Sequence, residues 1–116
     1  SWGKAMQGYD RQQAANYILS RLDGKEFRGL KDRLPSLIDE MMEYDQHFMR
    51  LTGVIDADGC QGDNEYDDDE AFEYIYDAWL SDHPDQPDDD MKIASLLNAY
   101  MELQYQYLCE NGLAQM

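Results

Sequence analysis

The sequence predicts an all-α protein, a compact bundle of three to four antiparallel helices with an acidic loop between the second and third main helices. Two observations carry this prediction. Apolar residues recur at steps of three and four, the spacing that places side chains on one face of a helix. No segment alternates apolar and polar residues over the length of a strand. The chain has 116 residues and suits a single domain, predicted over residues 1–116.

The N-terminal part of the chain is predicted to begin with a helix over residues 9–22. Asp10 is of a residue type that caps helix N-termini, and Gly24 suits the position that follows the last turn. One or two further turns are indicated by the next apolar residues, which are Phe27, Leu30 and Leu34.

The second main helix is predicted over residues 35–52, because Pro35 suits the first helical position and Gly53 suits its end. Its apolar stripe consists of Leu34, Leu37, Ile38, Met41, Tyr44, Phe48 and Leu51. Residues 53–66 follow as a loop, since glycines and a run of Asp and Asn favour turns.

The third helix is predicted over residues 68–81, and the fourth from Asp88 to a stop at Gly112. Acidic residues open both helices, where the macrodipole favours negative charge. Large side chains predicted on or beside the core faces are Met41, Tyr44, Tyr76, Trp79, Tyr100 and Met101. Tyrosines that fit the stripes less well, and are expected to be exposed for contact, are Tyr74, Tyr105 and Tyr107.

Negative charge is concentrated in the second half of the sequence. The formal net charge is −16, and residues 51–116 hold seventeen Asp and Glu against one cation, Lys92. Direct binding to nucleic acid needs clustered Lys and Arg, so it is not predicted. An anionic membrane surface would repel this half of the chain as well. The partner that this charge favours is a basic protein surface.

Residues 56–90 contain fifteen Asp and Glu and no Lys or Arg. A solvated face with two acidic helix starts explains part of this density without any partner. The alternative is a partner-binding face that imitates the charge lattice of a nucleic acid and occupies the basic groove of another protein. The residues predicted for such a face are Asp67, Asp68, Asp69, Glu70, Glu73, Tyr74 and Asp77.

The acidic loop also invites comparison with a calcium site. The EF-hand pattern fits poorly, because its fifth position falls on Cys60 and its twelfth on Asp67. Weak Ca²⁺ or Mg²⁺ binding by loop carboxylates is the second hypothesis, and no other cofactor is predicted. The candidate metal ligands are Asp56, Asp58, Asp63 and Glu65.

No pattern in the sequence predicts an enzyme. His47 and His83 form no metal-binding or catalytic motif, and each is expected at a surface or a helix end. Cys60 and Cys109 lack a Cys-x-x-Cys partner for zinc and are expected as free thiols, the alternative being a Cys60–Cys109 disulfide in an oxidising compartment. The sequence shows no signal peptide and no membrane-spanning run, which predicts a cytoplasmic protein.

In composition the chain is similar to small inhibitors carried by phages and mobile elements, and to immunity proteins that neutralise toxins. This likeness assigns no role to any residue. The leading hypothesis is therefore a non-enzymatic acidic binding protein, in its narrower form an inhibitor that imitates nucleic acid. The third hypothesis is a helical accessory protein that assembles with itself, for instance as a homodimer.

Overall fold

A computed structural model describes residues 8–86 and 89–114. This part of the chain contains four α-helices and one 3₁₀ helix, which confirms the predicted all-α class. The α-helices are α1 (Arg11–Arg21), α2 (Leu34–Thr52), α3 (Asp68–Asp82) and α4 (Asp90–Glu110), and the 3₁₀ helix, η1, is Arg28–Arg33. The predicted start of the last helix, Asp88, lies outside the described residues.

Helix α1 begins as the sequence predicts and ends differently. The carboxylate of Asp10 accepts a hydrogen bond from the backbone N–H of Gln13 at 3.0 Å, which caps the first turn. The helix ends when Leu22 adopts an extended backbone. The carboxylate of Asp23 then accepts hydrogen bonds from the backbone N–H groups two and three residues further along the chain. The prediction that Gly24 stops this helix is wrong, because a side-chain turn at Asp23 follows the last turn instead.

Helices α2 and α4 both end at a left-handed glycine, as predicted. Gly53 has a φ of 78° and Gly112 a φ of 71°. After α2, the backbone N–H of Val54 donates to the carbonyl of Met49 at 2.9 Å. This bond satisfies a carbonyl that the helix leaves unpaired, and it places the apolar side chain of Val54 next to the last turns of α2.

The segment between α2 and α3 folds back on the end of α2. Val54 and Ile55 are buried in a small apolar cluster beside the last turns of that helix. Gly62 donates its backbone N–H to the carbonyl of Val54 at 2.9 Å. A Cβ atom at Gly62 would lie 2.1 Å from the carbonyl oxygen of Gly53, so the two backbones meet where only glycine fits. The loop is therefore part of the packed structure.

Helices α2 and α3 run antiparallel. Tyr44, in the middle of α2, donates its hydroxyl to the carboxylate of Asp82 at the end of α3, at 2.6 Å. Phe48, one turn further along α2, packs against Tyr74 in the middle of α3, with 5.4 Å between ring centroids. The two helices thus contact each other in reversed order along the chain.

Helix α4 packs against both α3 and α1. Its first residue, Asp90, accepts a hydrogen bond from Tyr76 in the second half of α3 at 3.4 Å, as expected for antiparallel neighbours. Its second half carries Tyr107, whose ring contacts Tyr9 and Tyr17 edge-on. Only 5% of Tyr107 is exposed. The prediction that it is an exposed contact residue is therefore wrong, because α1 covers it.

The large side chains predicted on or beside the core faces are buried to different degrees. Met41, Trp79 and Tyr100 are fully buried, and the other three are half-buried against the core. Leu51, in contrast, is 67% exposed, and its assignment to the stripe is wrong. The buried face of α2 is displaced toward a neighbouring line of residues and consists of Leu37, Ile38, Met41, Met42, Asp45, Phe48 and Met49. Among the described residues, no helix has the length and apolar character needed to span a membrane.

Candidate functional site: an acidic groove between α3 and α4

An open groove of about 940 Å³ lies between the first half of α3 and the second half of α4. We call it the α3–α4 groove. Its lining combines carboxylates, apolar or aromatic side chains and two amides. The lining residues are Asp68, Asp69, Phe72, Glu73, Asn98, Met101, Glu102, Tyr105 and Gln106.

The α3 wall of the groove is placed by the cap at the start of that helix. The carboxylate of Asp67 accepts hydrogen bonds from the backbone N–H groups of Asp69 and Glu70, at 3.0 and 3.1 Å. Residues four apart share one face of a helix. This spacing puts Asp69 in line with Glu73, one turn further along the wall.

The α4 wall is a straight stripe along one face of its helix. Counted from Asn98, its other members lie three, four, seven and eight residues further along, which is the spacing of a single helical face. Half-buried Met101 and Tyr105 contribute the apolar part, together with Phe72 from the opposite wall. Glu102 is exposed on this wall. The groove therefore has an apolar floor with carboxylates on both sides.

The carboxylates of the groove repel one another. Partial burial, followed by the nearby charges of Asp69 and Asp67, raises the pKa of Asp68 above its ordinary value. None of the nine lining residues is Lys or Arg. A cationic ligand in the groove would relieve this repulsion.

The groove includes only part of the predicted partner-binding set. Asp68, Asp69 and Glu73 line the groove. The cap residue Asp67 has its carboxylate engaged with the backbone of α3. The other predicted residues of α3 do not line the groove, and these are Glu70, Tyr74 and Asp77.

Tyr74 lies on the side of α3 that faces α2. Its ring packs against Phe48 and stacks on the exposed ring of His47, with 6.0 Å between the latter two centroids. Tyr105, in contrast, lies in the groove, half-buried. Of the three tyrosines expected to make contacts, the structure therefore places only Tyr105 beside the groove carboxylates.

Cations gather near the other end of α4. The ammonium group of Lys92 lies beside Gly29 of η1, close enough to approach an added Cβ atom at 3.1 Å. Arg33 pairs with Asp89 at 2.8 Å, immediately before α4. These cations lie beside the acidic residues Asp89 and Asp90 at the start of α4, so this end of the helix carries charges of both signs, whereas the part that lines the groove carries only negative charge.

The candidate metal ligands are not assembled around a common point. One oxygen of Asp56 accepts hydrogen bonds from the backbone N–H groups of Asp58 and Cys60, both at 2.9 Å, so this carboxylate stabilises a turn of the loop. Within residues 8–86 and 89–114, no three His, Cys, Asp or Glu side chains are grouped closely enough to hold a metal. Ion binding through Asp56, Asp58, Asp63 and Glu65 stays a prediction.

The histidines lie away from the groove, at positions that agree with their predicted surroundings. His47 is exposed on α2. His83 caps the end of α3, where its ring stacks on Trp79 at 4.2 Å and its Nε2 is hydrogen-bonded to Glu40 at 2.6 Å. The thiols of Cys60 and Cys109 are free, as predicted.

The structure also contains a buried carboxylate that the sequence did not indicate. Asp45 is 1% exposed in the middle of α2. Its two oxygens accept hydrogen bonds from the hydroxyls of Tyr66 and Tyr100, at 2.7 and 2.8 Å. Burial raises the pKa of Asp45 to about 6, although both hydrogen bonds act in the opposite direction. This cluster ties α2 to α4 and to Tyr66, which lies two residues before α3.

A signal for this cluster is present in the apolar stripe of α2. Asp45 lies four residues after Met41 and seven after Ile38, at a position that belongs to the buried face. Polar residues at such positions are usually hydrogen-bonded when buried. A stripe interrupted by an aspartate could therefore have been interpreted as a buried polar site.

Comparisons of the chain with protein-family models, with curated proteins and with solved structures return no match. The class that the fold and the groove define is a small helical protein with an acidic, part-apolar groove.

Proposed function

We propose that this protein is a non-enzymatic binding protein that engages a basic protein surface through the α3–α4 groove. Support comes from the composition of the groove. Four of its lining residues are carboxylates, and no cation lies among them. A ligand that brings Lys or Arg would gain charge complementarity, and the apolar floor would add burial to the contact.

The apolar floor gives this proposal more weight than charge alone. Acidic residues at helix starts are explained by capping and by the macrodipole, without any partner. Phe72 and Met101 have no such explanation for their partial exposure between two carboxylate-bearing walls. Exposed apolar surface with a polar rim is typical of interaction sites.

Retention of basic proteins by matched variants tests this proposal. A groove variant neutralises three exposed groove carboxylates, through Asp69→Asn, Glu73→Gln and Glu102→Gln. A control variant neutralises three exposed carboxylates elsewhere, through Glu70→Gln, Asp77→Asn and Asp85→Asn. Each variant loses one acid from the first turn of α3, one from its middle and one from outside it, so the two have the same net charge.

The immobilised parent chain is expected to retain basic proteins from a cell extract at about 50 mM salt and to release them at about 300 mM. The groove variant should lose this retention, and the control variant should keep most of it. Equal losses in both variants would show that net charge alone is responsible. Retention that is indifferent to salt would overturn the charge-driven contact.

The narrower hypothesis, an inhibitor that imitates nucleic acid, stays a prediction and has its own measurement. A basic protein retained by the parent chain would be loaded with duplex DNA and then titrated with the chain. Displacement of the DNA supports imitation, and formation of a ternary complex contradicts it. The mass of the free chain in solution separately tests the predicted homodimer.

A further inference from the structure

The dimensions of the α3–α4 groove indicate the kind of ligand that it can hold. The α4 wall extends from Asn98 to Gln106, which corresponds to about 12 Å along the helix axis. This length matches about two turns of an α-helix. The groove, of about 940 Å³, is open, so such a helix can lie in it with its outer face in solvent.

The walls of the groove are helices, which limits how a partner's backbone can be accommodated. The backbone N–H and C=O groups in the middle of a helix are already bonded within it. An extended peptide in the groove would therefore find no ladder of backbone partners, and its amide groups would depend on groove side chains and water. A helical ligand satisfies its own backbone and does not need these partners.

The distribution of side chains then determines the chemistry of that helix. Apolar Met101 and Phe72 lie between carboxylates on either side, Glu73 on one wall and Glu102 on the other. A matching helix carries apolar residues on the face that enters the groove and Lys or Arg along both flanks. Methionine at the floor suits such a contact, because its flexible side chain adapts to ligands of different shape.

We infer that the α3–α4 groove binds a basic amphipathic helix presented by a partner protein. This inference rests on the proposed function, since it names the kind of basic surface that the groove takes. Its specific content is that the apolar face of the partner enters between α3 and α4, while its cations contact the carboxylates on both walls.

Two synthetic peptides of equal length, composition and net charge test this inference. In one, Leu residues recur at steps of three and four, with Lys at the remaining positions. In the other, the same residues are rearranged so that Leu is spread around the helix. Each labelled peptide is titrated with the full chain, and binding is followed by fluorescence anisotropy at about 100 mM salt.

The amphipathic peptide is expected to bind about tenfold more tightly than the rearranged one, because only its Leu side chains reach the floor together. It should also gain helical circular dichroism on binding. Met101→Gln should weaken this binding several-fold. Met91→Gln is the matched control, since Met91 is 79% exposed near the start of α4, outside the groove. If Met101→Gln alters the thermal melt, the groove variant replaces it as the second perturbation.

The outcomes separate this inference from the proposed function. If the two peptides bind with equal affinity, and neither binds the groove variant, the chain binds basic ligands without selecting a helix. The inference would then be overturned, and the proposed function would stand. Weakening by Met91→Gln as strong as that by Met101→Gln would overturn the assignment to the groove. Absence of binding for both peptides would overturn the inference, and retention of basic proteins would then decide the proposed function by itself.

Discussion

Asp45 is expected to make the folded state more stable as the pH falls. Its pKa is about 6 in the folded chain and has an ordinary value of 3.8. Between these values the folded chain keeps a proton that the unfolded chain has released, so protonation favours folding. The stabilisation is fully present below about pH 4 and is lost as the pH rises through about 6.

The size of the effect follows from two opposing contributions. Hydrogen bonds to a charged group contribute about 1.5–3 kcal/mol each, and Asp45 accepts two. Removing a carboxylate from water costs several kcal/mol, and the raised pKa shows that this penalty is the larger one. A shift of about two pKa units corresponds to about 3 kcal/mol of unfolding free energy.

Replacement of Asp45 by Asn isolates this contribution. The amide has nearly the same shape, accepts a hydrogen bond from one tyrosine and can donate to the hydroxyl oxygen of the other. Urea unfolding of the parent and of Asp45→Asn at pH 7.5, 6, 5 and 4 gives the free energy of unfolding for each. Comparing the two chains at each pH largely cancels the contributions of the other carboxylates.

Asp45→Asn is expected to exceed the parent in stability at pH 7.5 by up to about 3 kcal/mol, and to approach it at pH 4. Tyr100→Phe provides a contrast, because it removes one donor from the ionised carboxylate. It should lower the stability by about 1–3 kcal/mol at pH 7.5 and by less at pH 4. If Asp45→Asn is less stable than the parent at pH 7.5, or if the difference stays constant with pH, the reasoning is refuted.

Three further predictions concern the loop, a cap and the acidic residues. Gly62→Ala should lower the unfolding free energy by about 1–3 kcal/mol, because its Cβ would meet the carbonyl of Gly53. Gly24→Ala is the control and should cause no such loss, since an added Cβ at Gly24 meets no atom within 4 Å. Equal effects of the two substitutions in urea unfolding would contradict this prediction. Asp67→Ala should cost about 1 kcal/mol, since it removes the acceptor of two α3 amides, and an unchanged urea midpoint would argue against that cap. The melting temperature should rise between about 10 and about 200 mM NaCl as salt screens the carboxylates of residues 56–90, and a constant or falling value would show that their repulsion is negligible.

The helices could be predicted from the sequence because their signals are local. Steps of three and four, a cap such as Asp67 and a stop such as Gly53 act within one or two turns of the residues they affect. The predicted and observed bounds of α2 and α3 accordingly differ by a single residue at one end of each.

The positions that the sequence did not predict depend on contacts between helices. Apolar Leu51 is exposed and charged Asp45 is buried, the reverse of what residue type alone predicts. The reason is that tertiary packing determines which line of residues along α2 is covered. In the same way, periodicity does not reveal that α4 supplies Glu102 to the groove while Tyr74 faces α2. Only part of the predicted acidic face therefore lines the groove.

The uneven distribution of charge between the two halves of the chain has a consequence for the molecule as a whole. Residues 51–116, which include α3 and α4, carry the whole formal net charge of −16, whereas residues 1–50, which include α1 and nearly all of α2, are neutral. Such a molecule has an electric dipole, which experiences a torque in the field of a distant charged body. Its rotational diffusion near a cationic surface is then biased, so that the half that contains α3 and α4 faces that surface before any contact forms.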